Sequence, residues 1–297
     1  MTSLRFPITR RALLAAAAAA AASTRSHAGA PRVAIIDWAL LETALALCIA
    51  PVAATELIQF RKIVVEPEVP ESVVDLGLRG APSYELLHIL HPDLILISNF
   101  YEPSRPRFER IARVASFAVH QPGQSPYPLA VDNVARLGAL TGRSEAARRY
   151  IAETDAELDR LRETLGASDI KSAYVVVMGD ARHLQAFGHD SIFGHVMGRL
   201  GIANAWTHAT RYGAAAPVGL ETLAARPEAA IVIVSPLPPD FERTRTANAL
   251  WQALPAVRQR RVAVIPPVNH FGGLPSARRF ARLFVAAIRE MESTRHG

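Results

Sequence analysis

Cysteine is almost absent from this chain: Cys48 is the only one in 297 residues. One thiol excludes an intrachain disulfide framework and any multi-thiolate metal centre, so the fold must rest on its core. A run of about 20 apolar residues, the length needed to span a bilayer, is also missing. The longest candidate, Ala12 to Ala22, is too short. Enzymatic signatures are lacking as well, with no G-x-S-x-G elbow, P-loop, H-E-x-x-H or C-x-x-C. A strong excess of charge is missing once the N-terminus is set aside. Residues 1–28 hold four of the 33 basic residues and no acidic one, which leaves 29 basic against 27 acidic. With that balance and no long basic run, nucleic-acid binding is not supported.

What the N-terminus does contain reads as a cleaved export signal over residues 1–28. Thr9-Arg10-Arg11-Ala12-Leu13-Leu14 is a twin-arginine element, followed by the alanine-rich run and by Ser26-His27-Ala28, a small-x-small cleavage site. Export by that route predicts a periplasmic mature protein. Cys48 lies in the apolar run Ala44 to Ile49 and is expected to be a buried core thiol.

One pattern occurs twice in the mature chain. Ala81-Pro82-Ser83-Tyr84-Glu85-Leu86-Leu87 leads through His91-Pro92-Asp93 to Leu94-Ile95-Leu96-Ile97-Ser98. Ala216-Pro217-Val218-Gly219-Leu220-Glu221-Thr222-Leu223 leads through Arg226-Pro227-Glu228 to Ile231-Val232-Ile233-Val234-Ser235. Each copy reads as a short helix carrying one glutamate, a turn, and a buried strand. Further strands are expected at 32–37, 73–77, 117–120, 173–178 and 262–265. Helices are expected at 38–48, 83–90, 108–114, 191–200, 220–225, 247–254 and 276–290. Between the halves, residues 131–165 are almost continuously helical, broken once at Gly142-Arg143-Ser144 with Ser144 as the N-cap. The fold class is therefore α/β: two similar lobes, 29–141 and 167–297, joined by one long rigid helix over 142–166, with a largely parallel sheet and a ligand held in the cleft between lobes.

Polar and aromatic residues gather where strands end, as a cleft for a partly apolar ligand requires. Trp38 follows the first strand, and Tyr101 follows the strand ending at Ser98. Trp206 and Tyr212 lie in a second-half loop, and His270 and Phe271 follow the last strand. Arg79, in Gly77-Leu78-Arg79-Gly80, has a planar fork of donors suited to pairs of oxygens, although an ordinary solvated arginine is equally consistent on chemistry alone. His88 and His91 have i, i+3 spacing but no third ligand nearby, so no metal site is assigned. In Gly188-His189-Asp190-Ser191 the aspartate or serine is read as a helix N-cap rather than as part of a Ser/His catalytic site.

The segments Val73 to Arg79, Glu85-Leu86-Leu87, Phe100 to Ser104, Asn204-Ala205-Trp206, Leu250 to Pro255 and Arg260-Arg261-Val262 resemble the iron-siderophore substrate-binding proteins of ABC importers, above all the periplasmic ferrichrome and hydroxamate binders. The resemblance implies two α/β lobes with little hinge closure. It implies that Arg79 and Tyr101 contact hydroxamate oxygens around a ferric ion carried wholly by the siderophore, with no protein cofactor or metal ligand. Trp38, Trp206, Tyr212, His270 and Phe271 would complete the ligand wall. Glu85 and Glu221 match the lobe-tip glutamates that dock on permease arginines, and the protein would act as a monomer without catalysis. The tryptophans that such binders carry near the positions of Ile63, Gly213 and Asn269 are missing, which alters the aromatic wall. The alternatives are a binder of another iron chelate, haem or a corrinoid, and, from another class, an exported two-lobed α/β enzyme.

Overall fold

Along each central strand, successive side chains enter different cores, and this alternation builds the molecule. In the computed structural model, which describes residues 31–208, 210 and 215–296, β1 (Val33–Ile35) sends Val33 and Ile35 into one apolar layer and Ala34 into another. The strand β4 (Leu94–Ser98) does the same with Leu94 and Leu96 against Ile95 and Ile97. In the second half, β6 (Ser172–Met178) and β10 (Ala230–Val234) divide Ala173, Val175, Ala230 and Val232 from Tyr174, Val176, Ile231 and Ile233. A period of two is what a sheet covered on both faces demands. One of the three layers, the largest, takes residues from both sheets.

The first sheet is wholly parallel, in the order β3-β2-β1-β4-β5, with β2 at Ala53–Ala54, β3 at Val74–Asp75 and β5 at Arg113–Phe117. Its helices are α1 (Trp38–Ala46), α2 (Leu57–Ile63), α3 (Tyr84–Ile89) and α4 (Arg105–Phe108). Helices α5 (Tyr127–Leu140) and α6 (Ser144–Thr164) lead into the second sheet. That sheet runs β11-β10-β6-β7-β9, with β8 (Ala203–Asn204) pairing beside β6. Its other strands are β7 (His183–Phe187), β9 (Ala215–Gly219) and β11 (Val262–Ile265). Four helices complete this half before the C-terminal one: α7 (Ile192–Arg199), α8 (Pro239–Thr244), α9 (Ala249–Ala253) and α10 (Pro255–Arg258). The last helix, α11 (Leu274–His296), packs on α6, α7 and β11 and also on α1 and α5, so the covalent connector is not the only element touching both halves.

Several sequence expectations are corrected. The second half is mixed rather than parallel, because β7 runs antiparallel to both β6 and β9. Strands β2, β7, β8 and β9 were not anticipated. Pro217 disguises β9, yet it is tolerated because β9 is an edge strand. The second copy of the repeat consequently opens with a strand, and its Leu220–Ala225 segment is a 3₁₀ helix. The helix expected at 108–114 lies earlier, at α4, and the strand expected at 117–120 is β5. The N-cap position of α6 is Arg143 rather than Ser144. Cys48 is exposed rather than buried. Helix α1 closes with Leu47 turned into the core, and Cys48 then adopts a left-handed φ of 57° that points its side chain outward. Residues 1–28, with the twin-arginine element, and Tyr212 lie outside the described residues.

A buried carboxylate ties the two halves together behind the cleft. Glu42 on α1 is fully buried. Its Oε1 accepts from the Gly273 N–H (2.5 Å) and the Ser276 N–H (3.3 Å), and its Oε2 accepts from the Ser276 hydroxyl (2.7 Å), where α11 begins. Burial pushes its carboxyl up to about 8 from the usual 4.5. The folded chain therefore keeps a proton at pH 5–8 that the unfolded chain has released, so this group's contribution to stability is complete below about 4.5 and is lost as pH rises through about 8. Each pH unit in that window costs about 1.4 kcal/mol. Urea unfolding from pH 5 to 9 should show a decline that Glu42→Gln flattens, since the amide also needs no charge. A mutant curve parallel to the wild type would remove Glu42 as the cause.

Candidate functional site

Strand order reverses between β1 and β4, and the crevice beyond the carboxyl ends of strands at such a reversal is where open α/β sheets hold ligands. Asp37 and Ser98 end the two strands and bridge the reversal: the Ser98 hydroxyl donates to Asp37 Oδ2 (2.7 Å), and Asp37 Oδ1 caps α1 through the Ala39 N–H (2.8 Å). Burial raises the Asp37 carboxyl despite these bonds. A cavity of about 440 Å³ opens here, lined by Asp37, Trp38, Glu56, Arg79, Gly80, Phe100, Tyr101, Asn269 and Phe271.

Arg79 is held on three sides. Glu56 accepts from its Nε (2.7 Å) and from its backbone N–H (3.0 Å), and the guanidinium carbon lies 3.9 Å from the centroid of the Trp38 ring. Trp38 is fixed in turn by donating from Nε1 to the Thr55 carbonyl (3.0 Å) and by edge-on packing against Phe60. Glu56 takes a left-handed φ of 51° just after β2, with its N–H on the Gly77 carbonyl (2.8 Å). Gly77, at φ 79°, makes the turn that brings Arg79 back over the sheet. No contact to the two terminal guanidinium nitrogens is present among the described residues, so they remain available as a donor fork. The Tyr101 hydroxyl likewise has no partner among the described residues, and burial pushes it up to about 12, so it stays a neutral donor.

The opposite wall comes from the loop after β11. The Asn269 side chain accepts from the Phe271 N–H (3.2 Å) and shapes the turn. Phe271 meets Phe100 edge-on at 6.0 Å and His120 at 6.0 Å, while His120 stacks on Phe100 at 6.2 Å. Behind Phe271 stands His270, 5.4 Å from the Phe187 ring, with its imidazole lowered to about 4 by burial.

Of the residues singled out in the sequence, Trp38, Arg79, Tyr101 and Phe271 therefore meet in one cavity, with His270 supporting the wall. Trp206 does not line that cavity. It is buried in the second half's own core, in the same cluster as Tyr174, Leu184 and Ala216. Glu85 is exposed in the first turn of α3 and Glu221 is exposed in the 3₁₀ helix, both off the cavity. Ser191 is the N-cap of α7, accepting from the Gly194 N–H (2.9 Å). The rings of His88 and His91 lie 5.7 Å apart, and no three His, Cys, Asp or Glu among the described residues are grouped to hold a metal. Sequence reasoning missed Glu56, which directs Arg79, and His120. Glu56 follows a two-residue strand too short for periodicity to reveal, and His120 was hidden in the proline-rich stretch.

The model of the periplasmic binding protein family matches residues 33–268. The chain is 30% identical over 292 residues to the iron(3+)-hydroxamate-binding protein FhuD of Escherichia coli, covering 95% of this chain and 97% of that one. Among solved structures it superimposes on the Fe3+-Desferal-bound siderophore binding protein FhuD of Vibrio cholerae with a TM-score of 0.84 and 25% identity, over 89% of this chain and 99% of that one. The triscatecholate siderophore binding protein FeuA of Bacillus subtilis shares the fold, with a TM-score of 0.68 and 20% identity over 90% and 94% of the two chains.

Proposed function

The chain belongs to the periplasmic binding protein family, and from that premise we propose that it captures a ferric hydroxamate siderophore in the cavity between its halves and delivers it, chemically unchanged, to an ABC permease. As a member of that family it works outside the cytoplasm. The observation that carries the reading is the aimed donor set: a guanidinium fixed by Glu56 and Trp38, facing the same space as the Tyr101 hydroxyl, with its terminal nitrogens and that hydroxyl uncommitted among the described residues. Two adjacent donors of this kind suit the paired oxygens of hydroxamates, which stay electron-rich around a trivalent metal. The aromatic wall suits the chelate's carbon frame. Iron arrives inside the siderophore, and the protein acts as a monomer with no cofactor of its own. Tyr212, outside the described residues, would contribute from the second-half loop, whereas Trp206 stays in the second half's core.

Fluorescence titration with ferric hydroxamates tests this, because Trp38 stands at the cavity and should be quenched at about one chelate per chain. Arg79→Ala should lower affinity more than tenfold, since charge-assisted hydrogen bonds contribute about 1.5–3 kcal/mol each. Tyr101→Phe should cost less. An unchanged dissociation constant for Arg79→Ala would remove it from the site.

Export is assigned to the twin-arginine route. Replacing Arg10 and Arg11 with lysine should leave precursor in the cytoplasm, whereas normal accumulation outside it would indicate the general secretory route.

Glu85 and Glu221 are assigned to permease docking, because both carboxylates are exposed, sit in equivalent copies of the repeat and lie off the cavity. Alanine at both positions should leave folding and siderophore binding intact, since exposed carboxylates contribute within about a kcal/mol. Iron uptake should fail, because each loss strands a charge on the permease. Normal uptake by the double mutant would overturn the assignment.

A further inference from the structure

Beside Glu85 the first half holds a groove that the siderophore site does not use. Its volume is about 560 Å³, and Tyr84, Glu85, His88, Arg107, Arg110 and Ile111 line it. The local sequence dictates the arrangement. Phe108, fully buried at the end of α4, packs on Tyr84 at 5.3 Å between ring centroids and draws α4 against α3. The turn after α4 is closed by the Ile111 and Ala112 N–H groups on the Phe108 carbonyl (2.9 and 3.1 Å), with Arg107 and Arg110 exposed before and after Phe108. On α3, Glu85, His88 and Ile89 follow i, i+3, i+4 spacing and so share one face. Ile89 is 68% exposed there.

Three features set this groove apart from ordinary solvated surface. The side chains of Arg107 and Arg110 make no ion pair or hydrogen bond among the described residues, whereas their neighbour Arg105 pairs with both Glu102 and Glu109. Two unanswered guanidinium groups on one groove make it attractive to anions. Ile89, beside half-buried Tyr84 and Ile111, adds apolar area, and arginine among aromatic and apolar side chains is the composition of interface centres. Glu85 stands among these cations. A receptor offering only positive charge to Glu85 would be opposed by Arg107 and Arg110, so the complementary surface must carry both signs.

Resting on the permease-docking reading above, we propose that this groove receives an extracytoplasmic loop of the permease that carries an acidic side chain next to an apolar one. The carboxylate is taken by Arg107 and Arg110, the apolar residue packs on Ile89 and Ile111, and a permease arginine meets Glu85. Docking on the first half is therefore set by a pattern of both charges rather than by the glutamate alone. Such a pattern rejects a permease whose loop is basic throughout, which gives the pairing its specificity.

Surface plasmon resonance on the cognate permease in lipid nanodiscs tests this with siderophore-loaded protein. Arg107→Glu combined with Arg110→Glu should weaken association at least tenfold and flatten its dependence on salt. The milder pair Arg107→Gln and Arg110→Gln should lose several-fold. The thermal midpoint and siderophore affinity of both variants should match wild type. Arg149→Glu with Arg160→Glu, the same change of charge on exposed arginines of α6, should leave association unaltered. An equal loss in this control means general attraction of charge and overturns the proposal. Undiminished association of the charge-reversed groove overturns it alone if alanine at Glu85 and Glu221 still abolishes docking, and together with the docking reading if that variant also binds normally. A concentration-dependent dimer in sedimentation, lost when the groove is reversed, would make a second copy the occupant and likewise overturn it.

Discussion

Both sheets bury one face in the same apolar layer, and the rest of the molecule follows from that sharing. Phe187, Phe193, Phe280 and Phe284 run through it in successive ring contacts of 4.8, 4.4 and 5.3 Å, and Leu40, Leu41 and Leu94 enter it from the first half. Rotating one half against the other would open this packing, and each aromatic contact adds about 0.5–1.5 kcal/mol beyond its buried area. Arg282 reinforces the seam at its edge by joining Glu157 of α6 to Glu66 of the first half, and Arg278 adds a second ion pair to Glu157. A ligand cavity set above such a seam is largely preformed, and binding does not have to supply the free energy of a large closure.

Within that frame the cavity is arranged by second contacts rather than by the lining residues alone. Arg79 would sweep a wide volume as a solvated side chain. Glu56 on its Nε and Trp38 beneath its plane leave it one face and two donors. Trp38 in turn answers to Thr55, whose hydroxyl donates to the Ile36 carbonyl (2.6 Å) at the end of β1. Helix α1 serves both walls, with Trp38 at its start and Glu42 one turn later gripping the residues that follow Phe271.

Much of this was legible in the chain because the relevant signals are local. The runs at Leu94 to Ser98 and Ala230 to Val234 have no reading except buried strands, and the rim of a parallel sheet is where residues following a strand must emerge. Trp38, Tyr101 and Phe271 could therefore be set at the rim from position, while Arg79, equally consistent there with a solvated side chain, took its ligand role, as Tyr101 did, from the family resemblance. The remainder depended on partners distant in sequence. Glu42 sits in an apolar helix with nothing nearby to account for a buried carboxyl, and its donors arrive more than 230 residues later. Trp206 shows the opposite limit, since an aromatic residue after a strand can serve as wall or as core, and only its place in the buried cluster of the second half decides which. Strand β7 escaped notice because an antiparallel return needs no helix to announce it.

The solitary exposed thiol offers something practical. Cys48 lies two residues past the end of the helix that begins at Trp38, and at 1.5 Å per residue the two are roughly 15 Å apart. A maleimide dye attached there would sit within energy-transfer range of an indole on the cavity wall, with no second cysteine to blur the labelling. The chain thus carries its own attachment point for an optical sensor of whatever occupies the cleft.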